Sequence, residues 1–221
     1  MSGDKVKTKV YFYFFRFLLT TTIILALFLA GLYFIRHQQS AGKRGVQNRV
    51  IPILNEIPDF SLTDQSGNPF DSASLKGKIW VADFIFTRCA GPCPKMTQDM
   101  AKLHTDFWGE ENLRFVSFSV DPEWDKPEKL KNYGTKFQAD FKRWSFLTGD
   151  KKAIYDLCVK HFHLGVDEAD PQESLVPDQG VLHSTKFVLI DSFGRIRGYY
   201  DSTEPASLSL LKNDMVTLLK Q

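Results

Sequence analysis

The sequence predicts an α/β fold, in which helices cover the faces of a sheet, and three observations lead to this prediction. Two apolar runs of strand length, residues 79–86 and 113–120, are rich in β-branched and aromatic residues. Between them, apolar residues recur at helical spacing from Met96 to Phe107. Further short apolar segments continue this alternation of strand and helix, which is typical of βαβ units around one shared sheet.

The globular part begins with a predicted hairpin, IPDFSLTDQSGNPFDSASLKGK, whose turn at Gln65–Asn68 is favoured by Ser-Gly-Asn. The strand at 79–86 follows, then a helix from about Pro94 to Phe107 and the strand at 113–120. Three shorter elements come next, all read from apolar spacing: a helix in KPEKLKNYGTKF, a strand in WSFL and a helix in KKAIYDLCVKHF.

The C-terminal third contains a polar, acidic stretch, Gly165–Leu182, which is too long for an ordinary connection. After it we predict a strand in KFVLI, a turn in DSFG, a strand in RIRGYY and a helix from about Pro205 to Lys220. The order β-α-β-α-β-α-β-β-α predicts a sandwich around a mostly parallel sheet with an antiparallel hairpin at one end. This topology is thioredoxin-like.

The N-terminal region differs in composition. Residues 17–35 contain no charged side chain, and nineteen helical residues rise about 28 Å, close to the thickness of a bilayer core. A buried helix or a cleaved signal peptide is the alternative, but a signal core is shorter and ends at small residues. We therefore expect residues 1–16 to be a short N-terminal segment, 17–35 a transmembrane anchor, 36–50 a polar linker and 51–221 one domain.

Charge and composition limit where the protein is expected to be located and which partners it is expected to bind. The formal net charge is only +2, so no strongly basic face suggests nucleic-acid binding. Basic residues flank the apolar segment on both sides, so the positive-inside rule does not decide its orientation. The short segment before it lacks a long amphipathic presequence, which favours a bacterial inner membrane over a mitochondrial one.

Cys89 and Cys93, in FIFTRCAGPCPKM, are the main candidates for a functional site. Cys89 lies in the loop after a predicted buried strand, and Cys93 lies at the start of the next helix, where the helix terminus favours a thiolate. A disulfide needs Cβ atoms about 3.5–4.5 Å apart, which is workable if Cys89 stays in the loop. The spacing suits two thiolates on one soft metal at least as well; two inert buried thiols are the third interpretation.

Other candidate side chains carry plainer interpretations. Cys158 is interpreted as a buried small hydrophobe, and Met96 and Met100 as core residues on a helical stripe. Of the five histidines, His183 is the best third ligand, because it lies where the acidic stretch meets the strand KFVLI. On spacing alone, His183 is equally well explained as an ordinary polar loop residue. His37, His104, His161 and His163 are interpreted as non-ligands.

The motifs FTRCAGPCP, SVDPEWDKPEKL, LTGD and LHSTKFVLIDSFGRIRGYYD, in this order behind one apolar segment, resemble the Sco/SenC family of copper-binding assembly proteins. The resemblance covers the chain from about Ile57 to the last helix. It implies a thioredoxin-like fold and copper, as Cu(I) or Cu(II), bound by Cys89, Cys93 and His183. Asp121 matches an Asp-Pro pair of the family. It is interpreted either as a residue that supports the site or as a residue that only forms a turn.

The resemblance also implies partners: the copper site in subunit II of cytochrome c oxidase, and a thiol-reducing thioredoxin-like protein, because an oxidised pair cannot bind copper. It implies a single-pass protein of the bacterial inner membrane whose domain faces the periplasm. One departure is that Ala90-Gly91-Pro92 replaces the Pro-Asp that is common in the family's cysteine loop. This departure removes no ligand.

Two enzyme classes remain as alternatives to a copper carrier. A membrane-anchored thiol-disulfide oxidoreductase would use Cys89 and Cys93 as its catalytic pair. Against it stand the three-residue spacing and the lack of a proline directly before KFVLI. A peroxidase would use a similar strand–loop–helix cysteine, but it would not need His183.

Overall fold

The computed structural model describes residues 18–34, 50–164 and 184–221. Helix α1 spans residues 18–34, inside the predicted apolar segment, and its side chains are exposed. Within the three described ranges, no helix combines the length and the apolarity needed to cross a membrane. Residues 36–49 of the predicted linker at 36–50 and the whole predicted acidic stretch at 165–182 lie outside the described residues.

From Val50 onward the described residues belong to one compact unit. Its strands are β1 (Asn55–Glu56), β2 (Ser61–Thr63), β3 (Pro69–Asp71), β4 (Ile79–Ile85), β5 (Leu113–Ser119), β6 (Trp144–Leu147), β7 (Lys186–Ile190) and β8 (Arg195–Asp201). Its α-helices are α2 (Cys93–Asp106), α3 (Pro127–Lys136), α4 (Lys151–Asp156) and α5 (Pro205–Leu218). A short 3₁₀ helix spans Ser72–Leu75, and α4 continues as a π-helical turn, Leu157–His161.

The main sheet has the strand order β1-β8-β7-β4-β5-β6. β4 pairs in parallel with β5, and β5 with β6, whereas β4–β7, β7–β8 and β1–β8 are antiparallel. The prediction of a mostly parallel sheet is therefore wrong: the sheet is mixed. Strand direction depends on the end of the sheet at which the chain enters, and the residue pattern of a strand does not encode that.

The predicted N-terminal hairpin is confirmed as β2 and β3, which form a separate two-stranded antiparallel sheet. The carboxylate of Asp64 accepts hydrogen bonds from the backbone N–H groups of Ser66 and Asn68, both at 2.8 Å. Gly67 has a φ of 82°, a conformation that a residue with a Cβ rarely adopts. β1 was not predicted, because two residues are too few to show a strand pattern.

Two cores lie on opposite faces of the main sheet. Ile79, Val81 and Ile85 of β4 pack on one face with side chains of α2, α3 and α5, whereas Trp80 and Phe84 pack on the other with α4. Alternation along the strand explains this division. Met96 and Met100 are buried in the first core and Cys158 in the second, which confirms their interpretation as packing residues.

Asp83 breaks the apolar pattern of β4. By alternation it shares a face with Val81 and Ile85, and it is completely buried. Neither carboxylate oxygen has a partner at hydrogen-bond geometry among the described residues. Burial raises the pKa of Asp83 to about 7, and the Ser117 hydroxyl, opposite it on β5, offsets this only in part. A buried carboxyl group without a hydrogen-bond partner is unusual in a folded protein.

Gly134 allows α3 to pack closely on β6. A Cβ at this position would lie 2.7 Å from Cε2 of Phe146 and 2.8 Å from Cε1 of Phe141. We expect Gly134→Ala to destabilise the protein by about 1–3 kcal/mol, although alanine is the better helix former. Urea unfolding followed by circular dichroism measures this change. Gly109→Ala is the control, because a Cβ there meets nothing within 4 Å; equal stability of the two variants would contradict the close packing.

The buried carboxyl of Asp83 makes a prediction about stability and pH. The folded pKa of about 7 lies above the ordinary aspartate pKa of 3.8, so the folded state binds the proton more tightly than the unfolded state. Stability is therefore lost as the pH rises through this interval. Since one pKa unit corresponds to about 1.4 kcal/mol, the free energy of unfolding should fall by roughly 2–3 kcal/mol more in the wild type than in Asp83→Asn between pH 5 and pH 8. Parallel pH profiles would show that Asp83 is not buried as described.

Candidate metal centre

The cysteine loop, which we define as residues 86–92, leaves the carboxyl end of β4 and leads into α2. Cys89 lies in this loop, and Cys93 is the first residue of α2, as the sequence predicts. Pro92 and Pro94 flank Cys93, and the Met96 N–H donates to the Pro92 carbonyl at 3.0 Å, which starts the helix. Ligands and reactive groups commonly gather at this end of strands in open α/β sheets.

Both cysteines are reduced and mostly shielded from water, with 9% of Cys89 and 4% of Cys93 exposed. The Cys89 N–H donates to the Phe86 carbonyl at 3.2 Å, which closes a tight turn. The Gly91 N–H donates to the Cys89 sulfur at 3.3 Å. Cys89 therefore stays in the loop, and its sulfur lies against the backbone that leads to Cys93.

The pKa of Cys93 is raised above its usual range. Burial is the main cause; the neighbouring Cys89 thiol and the charge of Asp83 act in the same direction, and a backbone hydrogen bond at Phe86 opposes them. The helix terminus was expected to favour a thiolate at this position, but loss of solvation outweighs it. In the metal-free protein Cys93 is therefore a neutral thiol, and a bound cation would have to displace its proton.

Asp125 fastens the cysteine loop to the loop that follows β5. Its carboxylate is completely buried and accepts three hydrogen bonds: from the N–H of Thr87 at 3.0 Å, from the Thr87 hydroxyl, and from the Ser119 hydroxyl at 2.6 Å. Thr87 precedes Cys89 by two residues. The start of the loop is thus held by a buried charged group whose hydrogen-bonding capacity is well used.

Asp121 and Arg88 form a second connection between the same two loops. The Asp121 carboxylate accepts from Nε of Arg88, the residue before Cys89, at 2.6 Å. The Asp121 carbonyl also accepts from the N–H groups of Trp124 and Asp125, so this residue forms a turn as well. The interpretation of Asp121 as a turn residue is confirmed. Its supporting role near a metal site stays a prediction. The Arg88 guanidinium lies 5.3 Å from the centre of the partly exposed Trp124 ring.

Some of the histidines lie outside the described residues, and the structure places the others. His183, the predicted third ligand, lies outside the described residues, as does His37. His104 is buried on α2 between aromatic rings, its Nε2 has no partner within the described ranges, and burial, helped by the charge of Arg143, lowers its pKa. His163 Nε2 lies 2.9 Å from Asn55 Nδ2. In the part of the chain that is described, no three His, Cys, Asp or Glu side chains are placed to hold a metal ion.

Sequence reasoning missed Asp83 and Asp125. A signal existed for Asp83, because an acidic residue in the middle of an apolar strand is rarely buried without a reason. For Asp125 the sequence offered no signal beyond a polar loop, since its three donors come from two separate segments.

The sequence of this protein matches a known protein family. Residues 53–217 match the family model described as SCO1/SenC. The "SCO1 protein homolog" of Bacillus subtilis (strain 168) is 35% identical over 155 residues, which are 69% of this chain and 77% of that protein. A "Putative copper-binding protein" of Stutzerimonas stutzeri is 32% identical over 152 residues, covering 68% of this chain and 71% of that protein.

A solved structure gives the same result for the fold. BsSco, described as a member of the Sco family of cytochrome c oxidase assembly proteins in which a disulfide switch was identified, is 32% identical. The match covers 78% of this chain and 99% of that one, with a TM-score of 0.65. The thioredoxin-like fold is thereby confirmed. The family model spans most of the chain, and this protein belongs to the SCO1/SenC family.

Proposed function

We propose that this protein is a membrane-anchored copper carrier that binds copper through Cys89, Cys93 and His183 and assists the assembly of the copper site in cytochrome c oxidase. The observation that carries the proposal is the pair of reduced, shielded thiols at the carboxyl end of β4. One sulfur donor lies on a loop that Asp125 holds by hydrogen bonds, and the other lies at the start of α2; together they are a suitable site for a soft metal ion.

The donor set fits copper as a cargo. Thiolates select Cu(I), imidazole also suits Cu(II), and three ligands leave a position open for transfer to another protein. Both cysteines must lose their protons when copper binds, so loading releases protons. The similarity to a protein named as copper-binding supports this choice of metal.

The register of the sheet supports His183 as the third ligand. β7 runs antiparallel to β4, with Ala82 opposite Val188. The start of β7 therefore lies beside the end of β4, from which the cysteine loop leaves. Thr185 is tied to β8 by the N–H of Ser202, which donates to its carbonyl at 2.9 Å. Because His183 precedes Thr185 by two residues in the sequence, this position of β7 supports His183 as the third ligand.

The partners and the location form part of the same proposal. We place an anchor at residues 17–35 and a linker at 36–50, with the copper domain, residues 51–221, in the periplasm of a bacterial inner membrane. The client is the copper site in oxidase subunit II, and a thioredoxin-like protein keeps the cysteines reduced. The similarity to BsSco, a member of a family of oxidase assembly proteins, supports the choice of client.

The second candidate function is thiol-disulfide exchange on a client protein. One observation favours it: both cysteines are reduced and buried, and they lie four residues apart where the cysteine loop meets α2. The similarity to BsSco, for which a disulfide switch is described, agrees with this chemistry. The two functions differ in their need for His183.

The first prediction separates these two functions. The reduced full-length protein in detergent should bind about one copper per chain, and His183→Ala should lower its Cu(II) affinity by about tenfold or more, because one ligand is lost while both sulfurs remain. Metal analysis after desalting measures the ratio, and titration against a competing chelator measures the affinity.

Three controls accompany this experiment. Cys89→Ser and Cys93→Ser should each abolish tight copper binding, whereas His163→Ala should leave it unchanged, because His163 contacts Asn55 at 2.9 Å and not the cysteine loop. Full Cu(II) affinity in His183→Ala, together with loss of disulfide exchange in either serine variant, would favour the oxidoreductase.

A second prediction concerns the hydrogen bonds between Asp125 and the cysteine loop. Asp125→Asn keeps the shape of the side chain but removes its charge and at least one accepted hydrogen bond. We expect copper affinity to fall about 10–100-fold, as is usual for groups that orient metal ligands. Asp64→Asn, a matched change in the β2–β3 turn, should leave the affinity unchanged. Equal affinities in all three proteins would mean that the cysteine loop keeps its geometry without Asp125.

A further inference from the structure

An exposed tryptophan lies beside the cysteine loop. Trp124, in the turn after β5, is 45% exposed, although tryptophan is highly buried on average. Two cations lie over its ring: the central guanidinium carbon of Arg88 is 5.3 Å from the ring centre, and the ammonium nitrogen of Lys129 is 3.2 Å from it. Arg88 immediately precedes Cys89 in the sequence. We call Arg88, Trp124, Lys126 and Lys129 the tryptophan surface.

The acidic side chains of the same turn already have partners. The Asp121 carboxylate pairs with Arg88 at 2.6 Å, and the Glu123 carboxylate pairs with Lys151 of α4 at 3.5 Å. Asp125 is buried, and its carboxylate accepts hydrogen bonds from the cysteine loop and from the end of β5. These carboxylates are therefore engaged elsewhere than with the two lysines of the tryptophan surface.

Lys126 and Lys129 have no carboxylate partner in the described part of the chain. Both are exposed; the Lys126 ammonium donates to the Pro122 carbonyl at 3.0 Å, and the Lys129 ammonium lies over the Trp124 ring. The two lysines are three positions apart at the start of α3, so they lie on the same side of the helix. Glu128 is about 100° around the helix from Lys129. The charges of both lysines are thus open to a partner.

The stability of the domain does not explain this arrangement. The helix dipole disfavours positive charges at the start of a helix, yet Lys126 directly precedes α3 and Lys129 lies in its first turn. An exposed tryptophan also forgoes the stabilisation that burial of its ring would provide. Tryptophan and arginine are, however, enriched where binding energy concentrates in protein–protein interfaces. The combination therefore indicates a surface that another protein completes.

We propose that the tryptophan surface docks an acidic segment of the client protein that approaches the cysteine loop. Carboxylates of the client pair with Lys126 and Lys129, and an apolar side chain of the client covers the exposed part of the Trp124 ring. The inference rests on the proposed function and deepens it, because it names the chemistry of the partner that meets the cysteines. It assigns a role to side chains that bind neither copper nor a thiol.

The kind of interface fits a carrier. A carrier has to find its client quickly and then release it. Charged groups at the rim of an interface act mainly on the rate of association and add little to the lifetime of the complex. Exposed cations next to the thiols meet both requirements, since they guide an acidic client to Cys89 without holding it there.

The test uses the reduced, metal-free, full-length protein in a non-ionic detergent and two peptide probes. One probe alternates glutamate with glycine, the other alternates glutamine with glycine, and each ends in a cysteine that is activated as a thiopyridyl disulfide. A thiolate of the protein attacks the sulfur of the peptide cysteine, and the thiopyridyl group leaves as pyridine-2-thione, whose absorbance gives the rate constant.

The ratio of the two rate constants measures docking, because the intrinsic reactivity of the protein thiol cancels. In the wild type the glutamate peptide should react about fivefold faster or more at low ionic strength. The ratio should approach one in about 1 M salt, where charges act over only a few ångströms.

Matched variants locate the effect. Lys129→Gln and Trp124→Ala should each reduce the ratio by about half or more, whereas Lys129→Arg keeps the charge and should keep the ratio. Lys78→Gln is the control, because it removes the same charge at the start of β4, at the opposite end of this strand from the cysteine loop, where the Lys78 ammonium donates to Asn112 Oδ1 at 2.9 Å. Its ratio should equal that of the wild type.

Two results would overturn the inference. One is a ratio near one in the wild type, or an equal ratio in the wild type, Lys129→Gln and Trp124→Ala. The other comes from competing salts at equal ionic strength: if inorganic phosphate removes the advantage of the glutamate peptide and chloride does not, the surface binds phosphate groups instead of protein carboxylates. Equal effects of both salts support the acidic protein partner.

Copper binding is measured on the same preparations, so that the inference and the proposed function can fail separately. One copper per chain together with equal ratios in all variants would overturn the docking surface and leave the copper carrier standing. A ratio that depends on Trp124 and Lys129, in a wild type that binds no copper, would support the docking surface and overturn the copper proposal.

Discussion

The buried carboxylate of Asp125 is the constraint on which the geometry of the cysteine loop depends. It accepts hydrogen bonds from Thr87, in the cysteine loop, and from Ser119, at the end of β5, and so joins two segments that are distant along the chain. A carboxylate removed from water is stable only when its oxygens are satisfied, so the hydrogen bonds and the loop geometry require each other. The ion pair of Arg88 and Asp121 repeats the connection nearer the surface.

Burial determines the protonation state of Cys93. A helix terminus and a nearby arginine both favour a thiolate in principle. In the folded protein, loss of solvation outweighs them and Cys93 stays protonated. A shielded neutral thiol at Cys93 suits a carrier, because it is protected from oxidants in the medium and gives up its proton when a metal ion binds.

The sequence predicted most of the fold and the positions of both cysteines in it. The strands at 79–86 and 113–120 and the helix after Cys93 were predicted to within two residues, because apolar periodicity is a local property that survives folding. The mixed character of the sheet and the edge strand β1 were not predicted. Both depend on where distant segments meet, and a two-residue strand such as β1 carries no period.

By itself, the sequence determined the positions of Cys89 and Cys93 at a strand end and a helix start, because strand, loop and helix signals all lie within a few residues of them. The tertiary structure alone decided which side chains surround these sulfurs. Asp125 reaches the loop from beyond β5, and Asp83 faces the first core from the middle of β4. A pattern along one segment cannot show such contacts, since they arise only when the sheet assembles and its two faces close.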